Sequence, residues 1–495
     1  MTNDCWNYRL GRLLTRHYRV CALGILGLAA FNIFWRLAIT TVSDYDEARY
    51  GVAASEMLRS HSHLVATYAG RAEYWNLKPP LGYWLLELSY QVFGPTLLSL
   101  RLPSAIAALA VVGATMKTCR RWHNRRAALL AGLIIATSFG FLSHHGARSG
   151  DLDAVLTLIV LLGTAQVPQL GRSSVSRLIW AVMIALGFLL KSFAILPLLV
   201  VSATHLWLTG EARQQKFMDW LPAAAVITLS IGGWIIARSI VDGSTYFVMR
   251  MIREDLFARS AHRIDLGSYA PWDYLGVLFD RLAPWPIVAL LSWLCARRIQ
   301  SHSQAKQRQV LLLWAFVPLA MFSIAQTHHH WYMDPSYPAW AMIAAGGCLA
   351  LMRWAPPQLP RQLVASLILL GFVACETRFA LRVGRDALTH SQQFLLSLKT
   401  LPMAPQLRVC AMFPLSHSER FILEVIDRLK VEEISASSDQ SCANASNALL
   451  LSRTDWSHDS AGPDVTRYAR AIPEDADYQL LRPLGNISSM LLQDR

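Results

Sequence analysis

The stretch VCALGILGLAAFNIFWRLAI, residues 20–39, decides the fold class of this 495-residue chain. It contains a single charged residue, Arg36. Because the hydrocarbon core of a bilayer is about 30 Å thick, a helix needs roughly 20 apolar residues to cross it. The run is too long for the apolar core of a secretory signal, and no small-residue cleavage site ends it. We therefore interpret it as an uncleaved first membrane span.

Similar apolar blocks recur along the chain. Ala105–Met116 and Ala127–Ser143 contain no charged residue, and only 16% of the whole sequence is charged. Soluble chains carry about a quarter charged residues, and a large soluble core would not need such long uncharged runs. The backbone within a bilayer must satisfy its own hydrogen bonds, which favours helices. The blocks predict an all-α, polytopic membrane domain of about eleven transmembrane helices within residues 1–375.

The first outside loop contains a shorter apolar stretch, Leu81–Phe93, bounded by Pro79-Pro80 and Gly94-Pro95. It is too short to cross a membrane easily, so we expect interfacial helices there. Further on, Leu178–Leu208 is too long for one helix, and we divide it at Lys191 into two spans.

The net charge of +13 is arranged in short basic clusters at every second helix end, for example at residues 9–19 and 117–126. This alternation is the positive-inside pattern, and it puts the amino end inside. Nucleic-acid binding would need the same charges on one soluble face with interleaved aromatic residues. We therefore expect the membrane, and no nucleic acid, as the partner of these residues.

Residues 376–495 differ in composition from the rest, with shorter apolar runs and more charge. Arg408–Phe413 and Ala448–Ser452 read as strands around a helix at Ser418–Leu429, a pattern that predicts a small α/β domain. Eleven spans place this C-terminal domain outside. Cys410 and Cys442 could form a disulfide in an oxidising compartment.

Charged residues of both signs gather at the outer ends of the predicted helices. Such groups are costly at membrane depth and usually have partners or a task. Cations suit a phosphate and a carboxylate can remove a proton, so the set fits an anionic lipid-linked substrate. The residues are Asp46, Glu47, Lys78, Asp151, Asp153, Lys191, Arg250, Arg253, Glu254, Asp255, Arg259, His262, Arg263, His328, His329 and His330.

Each of these residues also has a structural alternative. An Asp-Glu pair can be solvated or cap a helix, and Asp151 and Asp153 can do the same. Lys191 can snorkel to the membrane surface. Adjacent histidines point in different directions in a helix or a strand, which favours surface placement of His328–His330 over metal binding.

Several motifs resemble the C-type glycosyltransferases of the protein O-mannosyltransferase and lipid A aminoarabinose transferase kind. The resemblance covers about residues 20–355 in the family's order. It is carried by DEARY (46–50), LKPPLGYW (77–84), RLPS (101–104), DAVLT (153–157), LKS (190–192) and HWY (330–332). Many relatives have an acidic residue directly before the lysine of Lys-Pro-Pro, where this chain has Leu77. The cofactor, including a divalent metal, is therefore left open.

The resemblance implies an inverting glycosyltransferase of the bacterial inner membrane with a periplasmic active site. The C-terminal domain lies outside the resemblance, and the eleven predicted spans place it on the same periplasmic side. A polyprenyl-phosphate sugar would be the donor, and the acceptor would be a hydroxyl or phosphate of a lipid such as lipid A, another glycan or a protein. Asp46 would act as general base, and Asp44 would be merely solvated. The implied site consists of catalytic Asp46, Glu47 and Asp153, phosphate-binding Lys78, Lys191, Arg250, Arg253 and Arg259, and substrate-binding Tyr50, Tyr83, His330 and Tyr332.

Two other classes of function are open to a chain of this kind. A transporter or flippase of a lipid-linked saccharide would share the many spans, but transporters tend to place polar residues near the midplane in repeated halves. Here the charges gather at one surface and no repeated halves are visible. A scaffold with an inactive membrane part would not need Asp46, Lys78 and Lys191 together.

The predicted topology can be tested with reporter fusions. Fusions after Ile39, Ser143 and Cys375 should report outside, and fusions after Met116 and Arg297 should report inside, because the basic clusters hold their loops in the cytoplasm. An inside signal after Cys375 would contradict both the count of eleven spans and the outside position of the C-terminal domain.

Overall fold

A computed structural model describes most of the chain. The described residues are 12–74, 77–143, 145–258, 270, 272–295, 302–354, 361–400, 408–411, 413–433, 448–453, 468–470 and 478–483. Arg259, His262, Arg263, Arg297 and Cys442, which carry predictions made above, lie outside these residues.

Helices build the first part of the chain, and their bounds follow the apolar blocks of the sequence. They are α1 Tyr18–Phe34, α2 Asp46–Ser60, α3 Leu81–Phe93, α4 Leu97–Trp122, α5 Arg125–Ala136, α6 Phe139–Leu142, α7 Asp153–Thr164, α8 Ser174–Lys191 and α9 Leu196–Leu208. A two-stranded antiparallel ribbon, β1 Thr67–Tyr68 and β2 Arg71–Ala72, lies between α2 and α3.

The second part continues with helices and ends in a sheet. The helices are α10 Phe217–Asp242, α11 Tyr246–Met251, α12 Asp273–Leu282, α13 Trp285–Cys295, α14 His302–Ile324, α15 Tyr337–Trp354, α16 Arg361–Arg385, α17 His390–Ser397 and α18 His417–Arg420. A π-helical segment, Ile252–Ala258, follows α11, and a second one, Phe421–Ile426, follows α18. Between α14 and α15 lies a 3₁₀ segment, His330–Ser336.

The apolar run from Ser174 to Leu208 is interrupted where the sequence predicts. Helix α8 ends at Lys191, and Ser192 has φ 45° at the start of a 3₁₀ turn, Ser192–Ile195. A positive φ is uncommon for a residue other than glycine and cannot continue a right-handed helix. The predicted break at Lys191 is therefore confirmed.

Within the described residues, five segments are long and apolar enough to cross a membrane: Leu97–Trp122, Ser174–Leu208, Phe217–Asp242, Ala305–Ile324 and Gln362–Arg385. The buried fraction of each segment distinguishes central segments from peripheral segments. The most apolar window of α4 is 56% buried, whereas those of α10 and α16 are 11% and 22% buried. The total of eleven spans stays a prediction.

The C-terminal strands form one mixed sheet in the order β4-β3-β5-β7-β6. The strands are β3 Arg408–Ala411, β4 Lys430–Glu433, β5 Ala448–Arg453, β6 Tyr468–Arg470 and β7 Tyr478–Pro483. β3 runs parallel to β4 and β5, while β7 is antiparallel to β5 and β6. Strands thus occur near residues 408 and 448, as the sequence predicts. Cys410, in β3, is disulfide-bonded.

This sheet region packs against α2 and α3 and shares a hydrophobic core with them. Val409, Phe421 and Ile422 belong to the same buried cluster as Tyr50 and Val52 of α2. A separate C-terminal α/β domain over residues 376–495 stays a prediction, because part of its core is supplied by these two helices.

Gly51 marks the closest approach between α2 and the C-terminal segment. A Cβ at this position would lie 2.4 Å from Cε2 of Phe421 and 3.2 Å from Cδ1 of Leu100, and Phe421 is fully buried. Gly51→Val should therefore push the C-terminal segment away from α2 and make it more sensitive to limited proteolysis in membranes. Gly232→Val in α10, where a Cβ meets no atom within 4 Å, is the control. The same cleavage rate in both variants would contradict this packing.

Candidate active site

A cavity of about 230 Å³ brings together six of the residues that the sequence assigns to the site. They are Asp46, Tyr50, Lys78, Asp153, Lys191 and Tyr332. Ser192, Asp255 and Trp331 complete its polar and aromatic wall, and α9 and α14 supply apolar residues. The cavity thus combines anionic, cationic and apolar surface, as a lipid-linked phosphate requires.

Asp46 is the first residue of α2. Its carboxylate makes no hydrogen bond or ion pair with the part of the chain that the structure describes. The carboxylate is therefore available to accept a proton from a substrate, which is the geometric condition for a general base.

Lys78 is held by a carboxylate that the sequence analysis left without a role. Its Nζ lies 2.9 Å from both oxygens of Asp255, and Ser192 Oγ donates to Oδ2 of the same carboxylate at 2.7 Å. Asp255 lies in the π-helical segment after α11, and Ser192 lies at the break after α8. Two irregular segments of backbone therefore fix the position of Lys78.

Lys191 forms the second cation–carboxylate pair of the cavity. Its Nζ donates to Asp153 Oδ2 at 2.7 Å, and both side chains are almost completely buried. Asp153 begins α7 and Lys191 ends α8, so the pair joins the outer ends of two helices. A buried lysine close to a carboxylate keeps its charge where an isolated one would be costly.

His145, which was not selected from the sequence, packs against Trp331 of the cavity wall. His145 Nδ1 is 2.7 Å from Asp151 Oδ2, and its ring stacks on the Trp331 indole at 3.8 Å. Burial lowers the pKa of His145, but the Asp151 carboxylate more than offsets this and raises the pKa to about 9. The loop before α7 therefore carries a cation at neutral pH. The only sequence signal for it was its place in the loop that contains Asp151.

Glu47 points away from the cavity although it follows Asp46 directly. Its carboxylate accepts hydrogen bonds from Arg101 Nε at 2.6 Å and from Arg101 Nη2 at 3.0 Å. The side chains of both residues are 0% exposed. It also accepts from the backbone N–H groups of Ser43 at 2.9 Å and Gly150 at 3.0 Å. These contacts favour a positioning role for Glu47 over proton transfer.

The other predicted site residues that the structure describes lie outside the cavity wall. Tyr83 is buried, and its ring lies 5.3 Å from that of Tyr50. His330 lies edge-on to His145 at 5.6 Å, in a neighbouring pocket with Asp273 and the other two histidines. Arg250 and Arg253 flank the junction of α11 and the π-helical segment. Their roles in substrate binding stay predictions.

Asp44 is not the solvated carboxylate that we expected. Its Oδ1 accepts a hydrogen bond from the Ser418 backbone N–H at 2.9 Å. Burial raises the pKa of Asp44, but hydrogen bonds from Ser418 more than offset this and leave the pKa below its ordinary value. His417 lies beside this contact, between Arg49 at 3.3 Å and the Tyr68 hydroxyl at 2.5 Å. The C-terminal segment is thus docked on the residues that precede and begin α2.

No group of three or more potential metal-ligating side chains occurs within the described ranges. Leu77, at the place of the family's acidic residue, is buried.

Comparison with known proteins agrees with the motifs. Residues 77–236 match the family model described as dolichyl-phosphate-mannose-protein mannosyltransferase. The undecaprenyl phosphate-alpha-4-amino-4-deoxy-L-arabinose arabinosyl transferase 2 of Pseudomonas fluorescens is 27% identical over 406 residues, which cover 79% of this chain and 67% of the relative. The corresponding transferase of Pectobacterium carotovorum is 28% identical over 310 residues, 61% of this chain and 54% of the relative.

Solved structures share the fold over most of the chain. ArnT from Cupriavidus metallidurans bound to undecaprenyl phosphate has a TM-score of 0.69 at 16% identity, covering 93% of this chain and 97% of that one. The Archaeoglobus fulgidus oligosaccharyltransferase tethered to an acceptor peptide has a TM-score of 0.56 at 12% identity, covering 89% and 70%. The resemblance to polyprenyl-phosphate-dependent C-type glycosyltransferases is confirmed, and so is a mostly helical, multi-pass membrane fold.

The different surroundings of Asp46 and Glu47 generate a prediction about stability. Glu47→Gln leaves Arg101 buried without its counter-charge, and removing one partner of a buried pair costs about 3–5 kcal/mol in soluble proteins. This variant should unfold at a clearly lower temperature in detergent, whereas Asp46→Asn, which breaks no hydrogen bond or ion pair to the described residues, should unfold like the unaltered protein. Equal thermal unfolding of the two variants would show that Glu47 does not hold α2 in place.

Proposed function

We propose that this chain is an integral-membrane, inverting glycosyltransferase that transfers a sugar from a polyprenyl-phosphate carrier to an acceptor on the periplasmic side of the bacterial inner membrane. One observation carries the proposal. A carboxylate without a partner among the described residues, Asp46, shares a partly apolar cavity with two positioned lysines, Lys78 and Lys191. The curated relatives are named for such a transfer from undecaprenyl phosphate, and this supports the same class of carrier here.

The first chemical step assigned to the site is proton removal. The acceptor hydroxyl gives its proton to Asp46 as its oxygen attacks the anomeric carbon of the donor sugar. A new carbon–oxygen bond forms on one side of that carbon while the bond to the carrier phosphate breaks on the other, so the configuration inverts. A base within hydrogen-bond reach of the hydroxyl typically contributes about 10²–10⁴-fold to such a rate.

The second requirement is stabilisation of the leaving phosphate. Negative charge grows on the phosphate oxygens as the bond to the sugar breaks, and positioned cations are most effective where charge develops. Lys78 and Lys191 supply these cations at the wall of the cavity. Arg250 and Arg253, which begin the segment that leads to Asp255, are proposed to add positive charge on the same side.

The carboxylates beside the two lysines compete with a donor phosphate for hydrogen bonds from the lysines. Lys78 is shared between both oxygens of Asp255, and Lys191 donates to Asp153. A donor phosphate must replace part of the hydrogen bonding between each lysine and its carboxylate. In the absence of the donor, the oxygens of Asp255 therefore occupy positions near Lys78 that the phosphate oxygens would take. Asp153 is thereby proposed to position Lys191, and Tyr50 and Tyr332 to line the path of the sugar.

The identity of Asp46 as the base can be tested by transfer of a labelled sugar from its polyprenyl phosphate in membranes with matched amounts of protein. Asp46→Asn keeps the size and removes the base, so transfer should fall at least about 100-fold. Glu432→Gln is the control, because this carboxylate is half exposed and pairs only loosely with Arg408 at 3.6 Å. It should retain full activity.

Two results would contradict the proposal. Normal transfer by Asp46→Asn together with an inactive Asp153→Asn would show that the base is misassigned. Absence of transfer by the unaltered protein from the polyprenyl phosphates of both neutral and amino sugars would contradict the function itself.

A further inference from the structure

A second, separate surface is the exposed face of the outer half of α16, which we call the α16 face. Its residues all belong to this one helix, and the face changes from apolar to basic along the helix. Leu370, Val373 and Leu381 are 61%, 53% and 54% exposed. The basic part consists of Arg378, Arg382 and Arg385, which recur at helical spacing in the last turns.

The basic part lies on the same side of the membrane as the cavity. Arg36 Nη2 donates to the carbonyl oxygen of Asp386 at 3.2 Å, and the Leu388 N–H donates to the carbonyl oxygen of Ile39 at 3.1 Å. The end of α16 is therefore joined to the segment that leads into Asp46. Because α16 is peripheral, with only 22% of its apolar window buried, we expect the α16 face to contact lipid in the membrane.

The charges of the α16 face are only partly compensated. Arg378 pairs with Asp280 at 2.8 Å. The guanidinium groups of Arg382 and Arg385 form no ion pair or hydrogen bond with the described residues, and the Arg382 group lies 5.8 Å from the Phe139 ring. Two exposed cations thus lie next to the apolar part of the α16 face.

Ordinary explanations account for only part of this pattern. A cation at a helix C-terminus is favoured by the helix dipole, and long basic side chains can snorkel. Basic residues of membrane proteins, however, concentrate on the cytoplasmic side, which is the opposite side from the cavity in the proposed topology. A guanidinium next to apolar surface at the membrane boundary matches a phosphate joined to acyl chains, because arginine binds phosphate with two parallel hydrogen bonds.

We propose that the α16 face is a binding site for an anionic phospholipid of the leaflet on the cavity side. The headgroup phosphate lies between Arg382 and Arg385, and an acyl chain lies along Leu370, Val373 and Leu381. The site is separate from the cavity around Asp46 and does not depend on the transfer reaction. Through Asp386, a bound lipid would steady the segment that precedes α2.

The test is the affinity of the full-length protein in detergent for phosphatidylglycerol, measured by native mass spectrometry. The unaltered protein should retain about one phosphatidylglycerol in preference to phosphatidylcholine, whose headgroup has no net charge. In the variant with Arg382→Gln and Arg385→Gln, the affinity for phosphatidylglycerol should fall at least about tenfold, which corresponds to 1.4 kcal/mol. The control carries Lys117→Gln and Arg121→Gln. These two exposed basic residues lie near the C-terminal end of α4, which the predicted topology places on the opposite side of the membrane, and the control should bind phosphatidylglycerol like the unaltered protein.

Three results would overturn the proposal: equal affinity in the unaltered protein and the double arginine variant, an equal loss in the control, or equal binding of phosphatidylcholine. Should the double variant fail to fold, the single variant Arg385→Gln decides the question. It removes one of the two cations proposed to hold the phosphate and leaves the apolar part of the α16 face unchanged, so it should also weaken phosphatidylglycerol binding, and unchanged affinity would contradict the site.

Discussion

The ion pair between Glu47 and Arg101 is the contact on which the geometry of the outer surface depends. Both side chains are fully buried, and a buried charge is tolerated only when its partners satisfy it. Arg101 meets this condition by also donating to the carbonyl oxygens of Leu37, Thr40 and Thr41, while Glu47 accepts from the Gly150 N–H. One ion pair therefore connects the segment between α1 and α2, the start of α2, α4 and the loop before α7. These contacts hold the start of α2, and with it Asp46, in place.

The cavity itself is close to electrically balanced without a substrate. Each lysine has a carboxylate partner, Lys78 with Asp255 and Lys191 with Asp153, and the carboxylate of Asp46 is left over. This balance lets two lysines be buried at a tolerable cost. In the proposed reaction, an anionic donor would gain affinity by exchanging partners with these carboxylates rather than by meeting unpaired lysines, which would favour release of the phosphate product after transfer.

Sequence reasoning succeeded where a property is local. The apolar runs, the break after Lys191 and the collection of Asp46, Lys78, Asp153 and Lys191 at one surface follow from composition, alternation of sides and motifs. It could not separate Asp46 from Glu47, because neighbours on a helix differ by about 100° in direction and only tertiary packing shows which side is the cavity. The same holds for Asp44, whose partner Ser418 is distant in the sequence, and for His145, whose role depends on Asp151 and Trp331.

The helix that begins with Asp46 is fixed at its start from two sides. The membrane part holds Glu47, while the C-terminal segment holds Asp44 through Ser418 and covers Gly51 with Phe421. Asp46 lies between these contacts. Proton transfer depends steeply on the separation and alignment of the reacting groups, so a displacement of about 1 Å can cost about 10²-fold in rate. With Asp46 as the proposed base, the proposal extends to the C-terminal segment, which would act on catalysis through the position of Asp46 although its described residues lie outside the cavity.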